Sequence, residues 1–468
     1  MKEFQYSGIW WLPNKPNNQI SGDLEFHPAK GASLQLNGSF TDITDSFESS
    51  KEKIILGVTP NGKEITLFRC FRSSVPFHIP GYQTSTYQID FVLLGCHFKK
   101  DKDMTFFQVS TNYSLLDEWI DKSGLTTNHE MNIDGQLSHM EIDFKYTEKE
   151  KILIDNFHIS FNYGIEGNVS KRGVAITELS LVNISSRKQI HLIDFLTKIC
   201  NPIEEFICLG TGSPVYPKKM FGRSRKKRIK MPNGKYEYQG IDIYYKIRRF
   251  IELNSEINQY DLLFLYPQIS DRIDYYLSNW IRNYKKLDDS FKLYFGVLRE
   301  PSLYIDLQFL CLIYALETYH RNIHGGHFRS ESQYHPIKRI ITNAIPSDLE
   351  TDFKDSLKSK IRYGYEYSLR KRLRDILEQH EDIFQELIGN KKQFINDVVF
   401  TRNYLTHHDK SDEKKAKKDT ELYYLFQKVK LILVACFLTE IGMDKEMIKQ
   451  LIHRNRRYIS LIKRDALI

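Results

Sequence analysis

The sequence has no long hydrophobic run. Its longest uninterrupted apolar stretch, at residues 431–438, has eight residues, well below the roughly 18 that a membrane-spanning helix needs. The first residues also lack the apolar segment that precedes the cleavage site of a secretory signal peptide. These absences predict a soluble cytoplasmic protein with no membrane partner.

Cysteine is sparse and is never paired in a C-x-x-C motif. The six cysteines are scattered over the whole chain, which argues against a zinc ribbon or a redox pair and predicts reduced thiols. The stretch Gly57 to Lys63 has the G-x4-G-K spacing of a phosphate loop, but Glu64 stands where Ser or Thr is needed. Nucleotide-binding and serine-hydrolase motifs are otherwise missing, so we predict no cofactor.

The charge of the chain is only mildly one-sided. Its 67 Lys and Arg against 59 Asp and Glu leave a formal charge of +8, an excess that permits a nucleic-acid partner without demanding one. The hydrophobic fraction of 41%, with 28 Tyr and 29 Phe, is ample for packed cores. A length of 468 residues exceeds a single core and predicts at least two domains.

Hydrophobic periodicity divides the chain. Alternating apolar positions and turn signals predict a β-rich domain over residues 1–200. A mixed α/β connector, or an extension of that domain, is expected over 201–265. Apolar residues three and four apart predict an α-helical bundle over 266–468. The predicted fold is thus a multidomain α+β protein. The expected helices of its second half are 271–298, 305–321, 346–361, 368–388, 391–405, 420–442 and 444–462.

The most informative motif ends the helix predicted over 391–405. There Arg402 is followed by Asn403 and, five positions after the arginine, by His407. Metal-independent RNA cleavage requires a base for the ribose 2′-hydroxyl, an acid for the leaving oxygen, and positive charge on the phosphorane. An imidazole and a guanidinium supply these groups. The alternative is that the same residues only cap a helix C-terminus, where cations are favourable.

Residues 394–409 resemble the R-N-x3-H signature of HEPN ribonucleases, and 308–310, 315–317 and 280–298 resemble other helices of that domain. The resemblance implies that Arg402 and His407 carry out the reaction, with Asn403 as the polar residue after the arginine. The family often has Gly after the histidine, whereas this chain has His408, so both imidazoles stay candidates. Because one copy supplies a single set, a homodimer through this domain is expected to complete the site.

The N-terminal half is similar to the N-terminal domain of ApeA-type proteins. The similarity is carried by glycines and apolar residues spread over the predicted strands: Gly22, Leu24, Gly31, Leu34, Leu36, Gly38, Gly57, Leu67, Leu116 and Trp119. It implies an anti-phage defence protein, acting by abortive infection, whose toxic RNase domain cleaves RNA, with tRNA as a candidate. The same resemblance implies that the N-terminal domain controls the RNase domain, either by sensing a phage-derived trigger or as a scaffold that holds the dimer.

Glu317 lies on an otherwise apolar face of the helix predicted over 305–321. One interpretation is that it faces the motif and orients Arg402 or tunes an imidazole. The other is that it is a surface carboxylate paired with Arg321, four residues on.

Two basic stretches are candidate RNA contacts. The denser one comprises Arg223, Arg225, Lys226, Lys227 and Arg228, which is either a phosphate-binding surface or simply a solvated loop. Lys414 and Lys415 directly follow the motif and are better placed for substrate.

One possible metal site and two alternative functions also follow from the sequence. His320, His324 and His327 have a spacing that would allow zinc, but no cysteine or acidic ligand lies nearby in sequence, so no metal is predicted. A catalytically silent sensor or RNA-binding scaffold is the main alternative function. The remaining one is a HEPN-like partner that neutralises a nucleotidyltransferase toxin, which the long N-terminal half disfavours.

Overall fold

The computed structural model describes residues 1–40, 51–74, 84–145, 151–247 and 257–465. The chain divides into two compact units, Met1–Ser278 and Asn279–Ile468. The first is β-rich and the second helical, as the hydrophobic patterns predict.

The first unit is built of antiparallel strands. They are β1 (Phe4–Leu12), β2 (Lys15–His27), β3 (Gly31–Leu36), β4 (Lys51–Val58), β5 (Glu64–Ser74), β6 (Ser85–Leu94), β7 (Thr105–Tyr113), β8 (Leu125–Met131), β9 (Leu137–Phe144), β10 (Ile152–Ile154), β11 (Phe157–Ser170), β12 (Gly173–His191), β13 (Pro217–Lys230) and β14 (Tyr236–Tyr245). Three helices interrupt them: α1 (Leu116–Ile120), α2 (Leu192–Phe195) and α3 (Asn201–Thr211).

Six of these strands close into a barrel. Their order is β6-β3-β2-β1-β4-β5, and β5 pairs back onto β6. Inward-facing side chains alternate with outward-facing ones, and the interior holds fully buried Trp10, Leu24 and Leu67. Gly57 leaves room for the indole, because a Cβ at that position would lie 2.2 Å from the Trp10 ring.

The remaining large-sheet strands extend from β6 in the order β14-β13-β7-β12-β11-β10. The segment 201–265 supplies β13 and β14, whose edges pair with β7 and β6. It is therefore an integral part of the first unit and not a separate connector, because its backbone hydrogen bonds are completed inside the sheet. Residues 248–256 of that segment lie outside the described residues.

The second unit is helical. Its elements, preceded by α4 (Tyr266–Ile269), are α5 (Ile273–Arg299), α6 (Ile305–His324), α7 (Glu331–Asn343), α8 (Thr351–Arg362), α9 (Leu369–Gln379), α10 (Glu381–Ile388), α11 (Lys391–His407), α12 (Lys410–Glu413), α13 (Asp419–Glu440), α14 (Lys445–Arg454) and α15 (Arg456–Asp465). The helix predicted over 368–388 breaks at His380, and the one over 444–462 breaks at Asn455.

The central helix of this unit is α13, whose residues 431–438 are all buried. Asn279 and Asn283 of α5 donate to the carbonyls of Ile441 and Glu440, which lie at the C-terminal end of α13. By length and composition alone, α13 is apolar enough to cross a membrane. However, 67% of its most apolar 18-residue segment is buried inside the protein. This is weak evidence for a span, since the core helix of a soluble protein passes the same test.

A buried imidazole makes the second unit sensitive to acid. His380 is 1% exposed, and within the described ranges of the chain neither of its ring nitrogens has a hydrogen-bond partner. Burial, followed by the nearby charge of Lys445, lowers its pKa to about 4. The pKa of His380 is thus lower in the folded chain than in the unfolded chain. The stability that depends on its neutral form is therefore fully present above about pH 6.5 and is lost as the pH falls towards 4.

We therefore expect the unfolding free energy of the α9–α10 region to fall by roughly 2 kcal/mol between pH 7 and pH 5. Hydrogen exchange of peptides from α9 and α10, corrected for the intrinsic pH dependence, measures this change. His380→Phe should flatten the profile, whereas His335→Phe, at an exposed position of α7, should leave it unchanged. Equal profiles in all three proteins would contradict the assignment.

Candidate active site

The candidate site lies at the C-terminal end of α11. Asn390 begins the helix, because its side chain accepts a hydrogen bond from the backbone N–H of Gln393. The helix buries Phe394, Ile395, Val398 and Val399 and packs against α6, α9 and α10. This anchoring holds the last turn, which carries the motif, on a rigid element.

The helix ends between the two histidines. His407 is the last helical residue, and its side chain is exposed. His408 takes a left-handed conformation with φ +52°, donates its backbone N–H to the Tyr404 carbonyl at 2.7 Å, and sets its ring edge-on to the Tyr404 ring. His408 thus serves as the helix cap, a position where the left-handed conformation is common. His407 is the imidazole placed on the helix itself.

Asp409 stands immediately after the histidines and begins α12. Its carboxylate accepts the backbone N–H of Ser411 at 2.8 Å. Hydrogen bonds to Ser411 hold the pKa of Asp409 below its ordinary value, and the charge of His407 contributes in the same direction. A permanent negative charge therefore lies close to the His407 imidazole.

Arg402 is half-buried and incompletely paired. Its Nη1 donates to the side-chain oxygen of Asn403 at 3.3 Å. Its Nε is buried and has no hydrogen-bond partner, and no carboxylate in the described part of the chain forms an ion pair with it. A buried guanidinium N–H without an acceptor is unusual in a folded protein.

Arg402 and His407 do not share a helix face. Five residues of α-helix separate them by about 140° around the axis and roughly 7.5 Å along it. Asn403 and His407, in contrast, are four residues apart and lie on one face. Within one copy, the guanidinium and the imidazole therefore flank the end of the helix from two sides.

The lysine-rich segment after the motif is not a free loop. The backbone N–H of Lys417 donates to the buried hydroxyl of Thr401 at 2.9 Å, which folds the segment back onto α11. Lys415 lies over the Phe400 ring and Lys418 over the Tyr404 ring. Lys414 is exposed. The ammonium group of Lys415 thus stands beside the motif and raises its positive potential. Lys418 also pairs with the Glu413 carboxylate at 3.0 Å, which offsets its charge.

Glu317 is half-buried on α6 but forms neither of the two ion pairs considered from the sequence. Among the described residues, Arg321 donates instead to Glu366 at 3.5 Å, and Arg402 has only Asn403 as its side-chain partner. Burial lowers the pKa of Arg372, and the negative charge of Glu317 acts in the opposite direction. Its assignment to the reaction stays a prediction.

A buried polar cluster between α6 and α9 was not found from the sequence. Arg372 is 2% exposed and donates to the carbonyls of Tyr367 and Gly326 and to His320 Nδ1 at 3.4 Å. Since arginine cannot accept, His320 Nδ1 is the acceptor and its Nε2–H donates to Asp375 at 3.1 Å. Burial lowers the pKa of His320. The sequence signal that could have revealed this cluster is the position of Arg372 on the apolar face of α9, beside Leu373 and Ile376.

The histidines considered for zinc do not form a metal site. His320 is occupied as just described, and His327 stacks on the Tyr365 ring. Among the residues that the structure describes, no group of three or more His, Cys, Asp or Glu could hold a metal ion.

The densest basic stretch lies on a hairpin of the first unit. Arg223 donates to Gln108, Lys226 pairs with Asp103 at 2.8 Å, and the Arg228 guanidinium lies over the Tyr236 ring. Arg225 and Lys227 stand between them on β13. The stretch is therefore structured, and its contact with RNA stays a prediction.

Comparison with protein families covers both units. The model of ApeA N-terminal domain 1 matches residues 5–280, which include the described strands of the first unit apart from the first residue of β1. The model of the Apea-like HEPN domain matches residues 310–447, from α6 into α14, and thus includes Arg402 and His407. No curated protein and no solved structure matches the chain.

The first match spans more than half of the chain and ends close to the boundary between the compact units. The second follows it in the order expected of ApeA-type proteins. HEPN domains are generally ribonuclease domains, and the ApeA type suggests anti-phage defence. The chain therefore belongs to the ApeA family, with an ApeA N-terminal domain followed by an Apea-like HEPN domain.

Proposed function

We propose that this protein is a cytoplasmic anti-phage endoribonuclease whose HEPN domain cleaves RNA, with tRNA as the candidate substrate, by attack of the ribose 2′-hydroxyl and without a metal ion. The proposal adds substrate and chemistry to the family assignment. It includes a phage-derived trigger that starts cleavage and a two-fold pair of HEPN domains as the active form.

The single observation that supports this function most is the unpaired Nε of Arg402. A guanidinium offers planar, fixed donors that match phosphate oxygens. One of those donors is buried and has no acceptor among the residues that the structure describes. A scissile phosphate would supply the acceptor, and its charge would grow in the phosphorane, so the arginine would bind the transition state better than the substrate.

His407 is the proposed acid–base group. It is exposed at the end of α11, two positions before Asp409, and an imidazole can both take up and release a proton near neutral pH. One imidazole cannot serve as base and acid at once. Because Arg402 and His407 of one copy flank the helix end from two sides, a second copy facing it would supply the second imidazole.

Lys414 and Lys415 are the proposed RNA-backbone contacts. We expect Lys414→Gln/Lys415→Gln to raise KM severalfold while kcat changes little. Phosphate contacts remote from the reacting bond stabilise the bound substrate and the transition state equally. The slope of log affinity against log salt should become shallower by about 2. Lys358→Gln/Lys360→Gln on α8 removes the same charge elsewhere and should change neither quantity. An unchanged salt slope in the first variant would remove these lysines from the interface.

The function is tested by incubating purified protein with total cellular RNA in EDTA and determining the end groups of the fragments. Attack by the 2′-hydroxyl predicts a 2′,3′-cyclic phosphate and a 5′-hydroxyl. A requirement for a divalent ion, or 5′-phosphate ends, would overturn the proposed chemistry. If RNA stays intact, expression toxicity of the wild-type chain with phage present separates an untriggered nuclease from a silent scaffold.

A further inference from the structure

Two exposed hairpins of the first unit carry opposite charge. The β8–β9 hairpin contains four carboxylates and no Lys or Arg between Leu125 and Phe144. The outer part of the β13–β14 hairpin, residues 223–238, contains seven Lys or Arg and one carboxylate. We refer to the β8–β9 hairpin as the acidic hairpin and to residues 223–238 as the basic hairpin.

The acidic hairpin exposes several large apolar side chains. Its two strands form a sheet of their own and pair with no other strand among the described residues. Its exposed apolar side chains are Met131, Ile133, Leu137, Met140 and Ile142. An isolated two-stranded hairpin is marginally stable in water, and contiguous exposed apolar groups mark binding surfaces. The hairpin is therefore suited to burial against a partner.

Charge on this hairpin restricts the partner. Glu130, Asp134 and Glu141 have no ion-pair partner in the described chain, whereas Asp143 pairs with Lys145 at the base. The strand register places Glu130 and Glu141 on one face of the hairpin, whereas the exposed Met140 and Ile142 lie on the opposite face. The acidic face repels a nucleic-acid backbone. Its complement is a basic surface.

The basic hairpin has this property. Arg225 and Lys230 are exposed on it. Lys230 shares a face with the exposed Tyr236, whereas Ile229 lies on the opposite face. The charges of the two hairpins are thus complementary.

Within one chain the two hairpins are kept apart by β7. Strand β13 runs antiparallel to β7 as far as the pairing of Arg223 with Gln108. The basic hairpin therefore projects from the end of β7 that begins at Thr105. The acidic hairpin follows the Tyr113 end through α1, and its base is fixed by the Glu178 carboxylate, which accepts the backbone N–H of Gly124 at 2.9 Å. The length of β7 places their roots roughly 25 Å apart.

This placement favours reciprocal contact between two copies. If two first units lie side by side and antiparallel, the acidic end of each meets the basic end of the other, and a two-fold axis satisfies both contacts at once. We propose that the acidic hairpin of one copy docks on the basic hairpin of a second copy, so that the N-terminal units form a homodimer independently of the HEPN domains. The inference goes beyond the proposed ribonuclease function and does not depend on it.

The proposal is tested with two charge-reversed variants of the full-length chain, both carrying Arg402→Ala to avoid toxicity. Glu130→Lys/Glu141→Lys makes both hairpins basic, and Arg225→Glu/Lys230→Glu reverses part of the basic hairpin. Sedimentation velocity over a concentration series should show that each variant alone self-associates at least about tenfold more weakly than the Arg402→Ala parent. An equimolar mixture should recover dimers, because the two reversed surfaces are again complementary.

The recovery in the mixture also shows that both variants are folded. Lys171→Glu/Arg172→Glu reverses charge at the exposed turn between β11 and β12 and should not alter association. Self-association that is unchanged in both variants, or a mixture that does not recover, would overturn the proposal. It is also overturned if Arg225→Glu/Lys230→Glu lowers RNA affinity but leaves self-association unchanged, since the basic hairpin would then be an RNA contact.

Discussion

Arg402→Ala is expected to lower kcat/KM for RNA cleavage by about 10²–10³-fold, the loss seen when one preorganised donor to a developing oxyanion is removed. The side chain forms one long hydrogen bond in the free protein, to Asn403 at 3.3 Å. Its loss should therefore change the unfolding free energy by no more than about 0.5 kcal/mol. A large effect on cleavage with little effect on stability is the signature of a residue that acts on substrate.

The conservative variant separates charge from geometry. Arg402→Lys keeps the positive charge but loses the planar fork, so we expect it to recover only a small part of the activity. Arg374→Ala on the exposed face of α9 is the matched control and should cleave at the wild-type rate. Wild-type cleavage by Arg402→Ala, in protein shown to be folded by circular dichroism, would remove the arginine from the reaction.

Arg372→Met is expected to lower the unfolding free energy of the helical unit by about 3 kcal/mol or more. The substitution leaves the Tyr367 carbonyl and the Nδ1 of His320 without their donor, and unsatisfied buried groups carry most of such a cost. The Gly326 carbonyl loses one of its two donors and keeps the backbone N–H of Tyr367 at 2.8 Å. Urea unfolding followed by hydrogen exchange of α6 and α9 peptides measures the change.

The same substitution two residues away provides the comparison. Arg374 is exposed on α9, so Arg374→Met should change stability by no more than about 0.5 kcal/mol. If Arg372→Met were equally mild, the buried cation would contribute nothing beyond its packing, and a well-packed apolar residue would replace it without loss.

The elements nearest the site were predictable because their signals are local. Apolar residues at helical spacing mark α11, and the R-N-x3-H motif at its end needs only the sequence to be seen. Alternating residues marked strands such as β3 and β6. In contrast, closure of the barrel through β5 and β6 depends on which distant strands pair, and no local pattern specifies that.

Other features escaped prediction for physical reasons that can be named. α7 contains Pro336 and buries only Tyr334, so it lacks both the composition and the apolar stripe of an ordinary helix. Arg372 is buried because backbone carbonyls and His320 surround it, a set of partners that comes from three separate segments. The basic run on β13 follows no alternating pattern, and its strand conformation is imposed by pairing with β14.

The central claim is that the C-terminal end of α11 is a metal-independent ribonuclease centre. The most direct test is the rate of RNA cleavage in EDTA by wild-type protein, His407→Ala and His408→Ala, assayed side by side at equal concentration. We predict cleavage by the wild type, loss of about 10²-fold or more in His407→Ala, and a rate near the wild type in His408→Ala, whose ring packs on Tyr404 at the helix cap. Undiminished cleavage by His407→Ala would contradict the account.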